Sequence, residues 1–283
     1  MSKNITEICK EIRKNIFLQA YCGGGAHLGS AFSVTEILAV LYFGGVLKYR
    51  SKEPWWDARD KLILSKGHAS VALYAVLAMA GYFPQEELTS YNQPGTRLGG
   101  HPKIHEVPGV EASTGSLGHG LSFGIGNAYA IKADRQDSHV YVILGDGECQ
   151  EGSVWEGALS APALGLDNLT VIIDHNKLQA MDQLEHIVPM DAFAEKWRTF
   201  GWHVVEVDGH DTEKLRDAFL LRVQGKPVVV IAHTIKGKGV SFMENIPIWH
   251  YRMPDERELT IVMQELGLTE EELYPQKNRR KEK

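Results

Sequence analysis

The chain has 283 residues, 43% of them hydrophobic and 23% charged, with a formal net charge of −6. This is the balance of a soluble globular protein large enough for a substantial core, and it excludes a general attraction to nucleic acid. The N-terminal stretch mixes acidic and spaced apolar residues, so it is no signal peptide; no later run is long and apolar enough to span a bilayer, and Cys9, Cys22 and Cys149 lack metal-site or disulfide-framework spacing, which fits a reducing cytoplasm.

Ile5, Ile8, Ile12, Ile16 and Phe17 recur at helical spacing and predict a first amphipathic helix to about Ala20. It stops in a glycine-dense loop, 22–30, that holds His27 and Ser30. A second helix is expected from Ser33, where Ser33-Val-Thr-Glu36 matches a capping box. Residues 62–64 read as a buried strand running into Ser65-Lys66-Gly67-His68, followed by a buried helix over 71–80. A loop containing Gly100-His101-Pro102 precedes 113–120, Ser-Thr-Gly-Ser-Leu-Gly-His-Gly, which opens a helix carrying Gly124, Gly126, Ala128 and Ala130. Such small residues permit close packing, here expected as helix on helix across an interface.

The segment 140–179 organises the rest. An apolar β-branched run ends at Leu144 and Gly145-Asp146-Gly147 follows at once; an Ala-rich helix leads to a second strand, 169–173, with Asn176 just beyond it. In a parallel sheet both strand ends lie on one edge, which brings Asp146 and Asn176 together. A carboxylate, an amide oxygen and a nearby carbonyl suit Mg²⁺ or Ca²⁺, with room left for diphosphate oxygens. The flanking glycines let backbone N–H groups approach phosphate. Further on, a helix is expected over 191–200, a strand over 203–207, a helix over 212–223 and a last strand over 228–232. Lys236 and Lys238 lie in the turn after that strand, and Trp249-His250 follows. Alternating strands and helices, with strands apolar along their whole length, predict an α/β fold: one mostly parallel sheet with helices on both faces. Residues 1–275 are read as one domain and 276–283 as a solvated charged tail.

Most of the twelve histidines mean little singly. His27, His68, His101 and His119, however, each sit in a glycine-containing loop of the kind that gathers over the carboxyl edge of such a sheet. Imidazoles there suit hydrogen bonding to hydroxyls and phosphates and the movement of protons.

Together these strings resemble the N-terminal, diphosphate-binding domain of the transketolases, over nearly the whole chain and in the right order. Gly-Asp-Gly followed by Asn belongs to thiamine-diphosphate enzymes in general. Ser65–His68, Thr114–Gly118, Gly145–Glu148 through Gly152–Glu156, and Lys236–Gly239 point to transketolase more narrowly. The resemblance implies that Asp146, Asn176 and the carbonyl of Leu178 ligate Mg²⁺, with Ca²⁺ or Mn²⁺ as substitutes. It implies that Gly147, His68, Lys236 and Ser30 contact thiamine diphosphate, that Gly115 and Leu117 embrace its aminopyrimidine, and that His27, His101 and His250 face the sugar, with His250 also beside the cofactor. Glu151 matches a buried acid at an interface between subunits. Four positions depart from the family: Ala26 and Leu28 flank His27 in place of Gly and Pro, His119 replaces Gln, and Tyr251 replaces a Gly after His250.

The implied reaction is transfer of a two-carbon ketol unit from a ketose phosphate to an aldose phosphate. A full-length transketolase continues into pyrimidine-binding and third domains, so a separate C-terminal subunit is expected, in an α₂β₂ assembly, with no nucleic acid and no membrane as partner. The alternatives are other thiamine-diphosphate subunits, of the 1-deoxyxylulose-5-phosphate synthase or 2-oxo acid dehydrogenase alpha kind, and a non-catalytic regulatory subunit. Asp146→Ala is expected to abolish Mg²⁺-dependent cofactor binding with little loss of fold.

Overall fold

The structure is a computed structural model and describes residues 4–180 and 182–273. The expected tail, 276–283, lies outside the described residues. In chain order the elements are α1 (Ile5–Gly23), α2 (Leu28–Ser33), α3 (Thr35–Phe43), β1 (Lys61–Leu64), α4 (Ser70–Met79), α5 (Gly120–Ala133), β2 (Val140–Gly145), α6 (Gly152–Ala163), β3 (Leu169–His175), α7 (Leu184–Ile187), α8 (Phe193–Thr199), β4 (His203–Asp208), α9 (Thr212–Leu220), β5 (Val228–His233), α10 (Glu256–Leu266) and α11 (Glu270–Leu273).

The five strands pair in the order β1-β2-β3-β5-β4, every pair parallel. Side chains alternate between the two faces of the sheet. Tyr141, Ile143, Ile172, Val228 and Val230 join the core formed with α1, α3, α4 and α9. Val140, Val142, Leu144, Val171, Ile173 and Val229 join a second core with α5, α6 and α8. Both faces are therefore covered, and that is why the strands read as unbroken apolar runs. The chain steps from β1 through β2 to β3 in one direction, then skips to β4 at the edge and returns to β5. The direction of crossover thus reverses only at β4, and because every strand points the same way the loops leaving the carboxyl ends gather along one edge.

Several local expectations shift. The capping box at Ser33 does not form: α2 ends at Ser33, whose buried hydroxyl donates to Asp174 Oδ2 (2.6 Å) and lies 3.1 Å from Ser30 O. Glu36 turns instead to Arg13 (2.8 Å) and His210 (3.0 Å). Both side chains are buried, so long-range polar partners outcompete the local cap. A capping box does occur at Asp255 and Glu258, heading α10. The helix expected over 212–223 ends at Leu220, and that expected over 191–200 runs only Phe193–Thr199.

Of the small residues in α5, Gly124 and Ala128 face inward. A Cβ on Gly124 would lie 2.3 Å from Val142 Cγ2, so this glycine seats the helix on its own sheet. Gly126 and Ala130 are exposed.

Candidate active site

Four loops leave the carboxyl ends of β1, β2, β3 and β5 and meet over that edge of the sheet. β2 and β3 end in register, Gly145 opposite Asp174, which sets Asp146 beside the loop that begins at Asn176. Asp146 is 3% exposed. Its Oδ1 accepts from Gly147 N (2.8 Å), its Oδ2 accepts from Lys177 N (2.5 Å), and His175 Nδ1 lies 3.2 Å from Oδ2. Asn176 Oδ1 accepts from Leu178 N (3.1 Å). Lys177 adopts positive φ, which bends the chain so that Asn176 and Leu178 both line the same cavity as Asp146.

That cavity, about 260 Å³, is walled also by His27, Ser30, His68, His101, Gly115, Leu117, Gly147 and His250. The structure therefore brings together the residues expected at the site. Gly115 has φ +147°, and a Cβ there would lie 3.0 Å from His101 Cδ2; at Gly147 it would lie 3.0 Å from Gln179 Cγ. Both glycines keep room at the wall that any side chain would fill.

Lys236 lies sealed behind the wall formed by Leu178, Gln179 and His250. It is 1% exposed, and its ammonium donates to Leu178 O (3.2 Å) and Gln179 O (2.8 Å) and lies 3.0 Å from His250 Nδ1. Among the described residues no carboxylate comes within ion-pair distance of it. Burial, and then the neighbouring Lys66 charge, bring its pKa down to about 8. Lys238 belongs elsewhere: it points to Glu244, 3.4 Å away.

The imidazoles form a cluster in the cavity wall. His27 lies 5.2 Å from His68, 6.4 Å from His101 and 5.0 Å from His250, ring centre to ring centre. Burial, then His101, Lys236 and Lys66, lower the pKa of His27 to about 4. Burial, then Lys236, lower that of His250 to about 3. His68 is held well below its ordinary value by burial first and Lys66 next. His27, His68 and His250 are therefore neutral at pH 7, each able to donate from one nitrogen and accept at the other. His119 does not join them: it is exposed at the start of α5, its Nδ1 3.1 Å from Leu117 O.

Two further acids, which the sequence motifs leave without a role, support the cavity: Glu148 and Lys66, the partner of Asp174, both help to line it. Lys66 is paired with Asp174, both fully buried, and Asp174 also accepts from Ser33 and Thr234. Burial opposes ionisation of Asp174, but Lys66 and these hydrogen bonds outweigh it and lower its pKa. Lys66 also donates to Ser30 O (3.1 Å), tying α2 to the sheet. Buried Glu148 accepts from Ser65 Oγ, Gly118 N (2.9 Å) and Gly145 N (3.1 Å), stitching three loops together. Burial raises its pKa despite those bonds. A signal for the pair is present in the sequence: a carboxylate inside an apolar strand, LTVIID, needs a buried partner, and Ser65-Lys66 supplies one. Glu151, expected as a buried interface acid, is exposed on this single chain.

The donor set fits a hard divalent cation with a diphosphate. One carboxylate, one amide oxygen and one carbonyl leave coordination positions for ligand oxygens, and the buried ammonium of Lys236, held by carbonyls with no ion-paired carboxylate among the described residues, favours an anion nearby.

Residues 8–278 match the profile of the family described as "Transketolase, thiamine diphosphate binding domain". The chain is 44% identical over 223 residues to the 6-deoxy-6-sulfo-D-fructose transketolase subunit of Clostridium sp. (strain MSTE9), an alignment covering 78% of this chain and 81% of that protein. It is 43% identical over 255 residues to an apulose-4-phosphate transketolase subunit of Actinobacillus succinogenes, covering 90% and 92%. It superposes on the transketolase of Leishmania mexicana with a TM-score of 0.87 at 30% identity, covering 94% of this chain but only 42% of that one.

Proposed function

This chain belongs to the transketolase family, of which it is the thiamine diphosphate-binding domain, and on that premise we propose that it works as the N-terminal subunit of a split, two-chain transketolase. Asp146, Asn176 and Leu178 O hold Mg²⁺, and Gly147, His68, Ser30 and Lys236 receive the cofactor's diphosphate. The observation that carries this reading is Lys236, a buried ammonium beside a set of oxygen ligands, with no carboxylate within ion-pair distance among the described residues. A diphosphate would neutralise it and share the metal.

Bound thiamine diphosphate supplies the carbanion chemistry and the electron sink for cleaving and forming the carbon–carbon bond. The chain's own residues do the rest. Gly115 and Leu117 shape one wall against the aminopyrimidine. His27, His101 and His250 hold the sugar hydroxyls, and the neutral imidazoles of His27 and His250 accept a proton as a carbonyl forms and return it as one is consumed. The depressed pKa values keep His27 and His250 free of charge, which avoids repulsion from Lys236 and Lys66. The substrate is a sugar with an anionic end: the named substrates of the two subunit relatives carry a phosphate in one case and a sulfonate in the other.

Those relatives, similar in length to this chain, are named as subunits, which supports a separate C-terminal partner. We take the assembly to be α₂β₂, with Glu151 buried between subunits, in the cytoplasm. The test is ketol transfer from xylulose 5-phosphate to ribose 5-phosphate and from sulfonated ketoses, with thiamine diphosphate and Mg²⁺. Activity is expected only when this chain is mixed with the protein encoded beside it. Activity from the chain alone would refute the two-chain reading; carbon dioxide release from pyruvate would refute ketol transfer.

A further inference from the structure

Tyr251 is a large aromatic side chain left 59% exposed at the rim of a polar cavity. Its ring meets the edge of His27, centre to centre 4.8 Å, and its phenol leans over Gly25, where a Cβ would lie 3.4 Å from the hydroxyl oxygen. The backbone on either side of it is fixed. Trp249 is buried against Phe242, and the Arg252 guanidinium lies 4.2 Å above the Trp249 ring while pairing with Glu258 at 2.8 Å. The ring is therefore held at its root on both sides while its face stays in water.

Burial orders the site from interior to surface: Lys236 is fully buried, His250 and His27 are half-buried, and Tyr251 is exposed. Outward from the imidazoles, the exposed Tyr251 ring lies directly against His27, where the far end of a polyhydroxylated chain reacting among those imidazoles would pass. Tyrosine offers such a chain a flat, stiff surface with few rotatable bonds to immobilise. We propose that Tyr251 is a specificity-determining residue that closes the outer end of the sugar channel and favours short acceptor aldoses over long ones. The proposal rests on the ketol-transfer reading above and deepens it.

The experiment uses the enzyme assembled with its partner chain, thiamine diphosphate and Mg²⁺, with one ketose donor held fixed. kcat and KM are measured for D-glyceraldehyde 3-phosphate and D-ribose 5-phosphate as acceptors, in wild type, Tyr251→Gly and Tyr251→Phe. Removing the ring should move the ratio of the two kcat/KM values toward the five-carbon acceptor by about tenfold, mainly through KM. Tyr251→Phe keeps the ring and should keep the wild-type ratio. A ratio in Tyr251→Gly within about twofold of wild type overturns the proposal, as does an equal shift in Tyr251→Phe. The ratio is unaffected by a reduced fraction of folded enzyme, and melting curves of the two variants check that fraction directly. If assembled wild type transfers no ketol unit to either acceptor, the functional reading itself falls and the proposal falls with it, an outcome distinct from an unchanged ratio.

Discussion

Asp146 shows how burial changes what a single residue is worth. Its place after a strand suggests a loop edge that tolerates alanine. The side chain is in fact buried and accepts from two backbone N–H groups, those of Gly147 and Lys177. Asp146→Ala strands both donors, each at a cost of about 1–3 kcal/mol, so the fold should weaken along with the metal site. Asp146→Asn keeps the shape and one acceptor oxygen while removing the charge, and so strands one donor instead of two. Calorimetric titration with thiamine diphosphate in the presence of Mg²⁺ should then show lost binding in both variants, with the thermal midpoint lowered in both and clearly further in Asp146→Ala. Equal melting of the two would refute the hydrogen-bond argument, and intact Mg²⁺-dependent binding in either would refute the metal site. Lys236 and Lys238 teach the same lesson: two residues apart in one turn, one is sealed behind the cavity wall and the other pairs outside with Glu244.

At the scale of elements, the seating of α5 on β2 decides where the loop 113–119 meets the cavity. Gly124 allows that contact and Gly126 does not take part in it: a Cβ at Gly126 meets nothing within 4 Å. Gly124→Ala should therefore destabilise the chain by about 1–3 kcal/mol through overpacking against Val142. Gly126→Ala should stabilise it by about 0.5–1 kcal/mol, from helix propensity alone. Opposite shifts in urea midpoint are the expected result, and the same sign for both would sink this account of the glycines. The sequence pattern announced a small-residue helix correctly, but spacing alone does not say which small residues face the sheet. The capping box at Ser33 misled for a related reason. A local motif describes what a side chain can do nearby, whereas Ser33 and Glu36 are buried next to Asp174, Arg13 and His210, which bind them more strongly.

Across the whole molecule, the buried neutral histidines link stability to pH. His27 and His250 have folded-state pKa values of about 4 and about 3, and His68 and His139 lie well below the ordinary value of 6.5. Below pH 6.5 the unfolded chain therefore binds more protons than the folded one. Stability rises with pH through this window, and it is lost as pH falls from about 6.5 toward 4. Thermal midpoints measured from pH 7 to 5, above the range of ordinary carboxylates, should fall steadily. His27→Gln should flatten that slope, and a slope unchanged by the substitution would refute the assignment of His27 as a buried neutral imidazole.

The order of strands and helices, the parallel sheet and the gathering of Asp146, Asn176 and the histidine loops at one edge were determined by the sequence, because periodicity and strand-end position are local properties that a parallel sheet converts into proximity. The strings shared with transketolases supplied the chemistry expected at that edge. Tertiary structure alone decided that Lys66 and Asp174 neutralise each other at the cavity, that Glu148 binds three loops, that Lys236 has no ion-paired carboxylate among the described residues, that His119 faces away and that Tyr251 stands beside His27. Those outcomes depend on burial and on partners distant in sequence. Whether a charge is paired, stranded or solvated is fixed only when remote segments have packed around it.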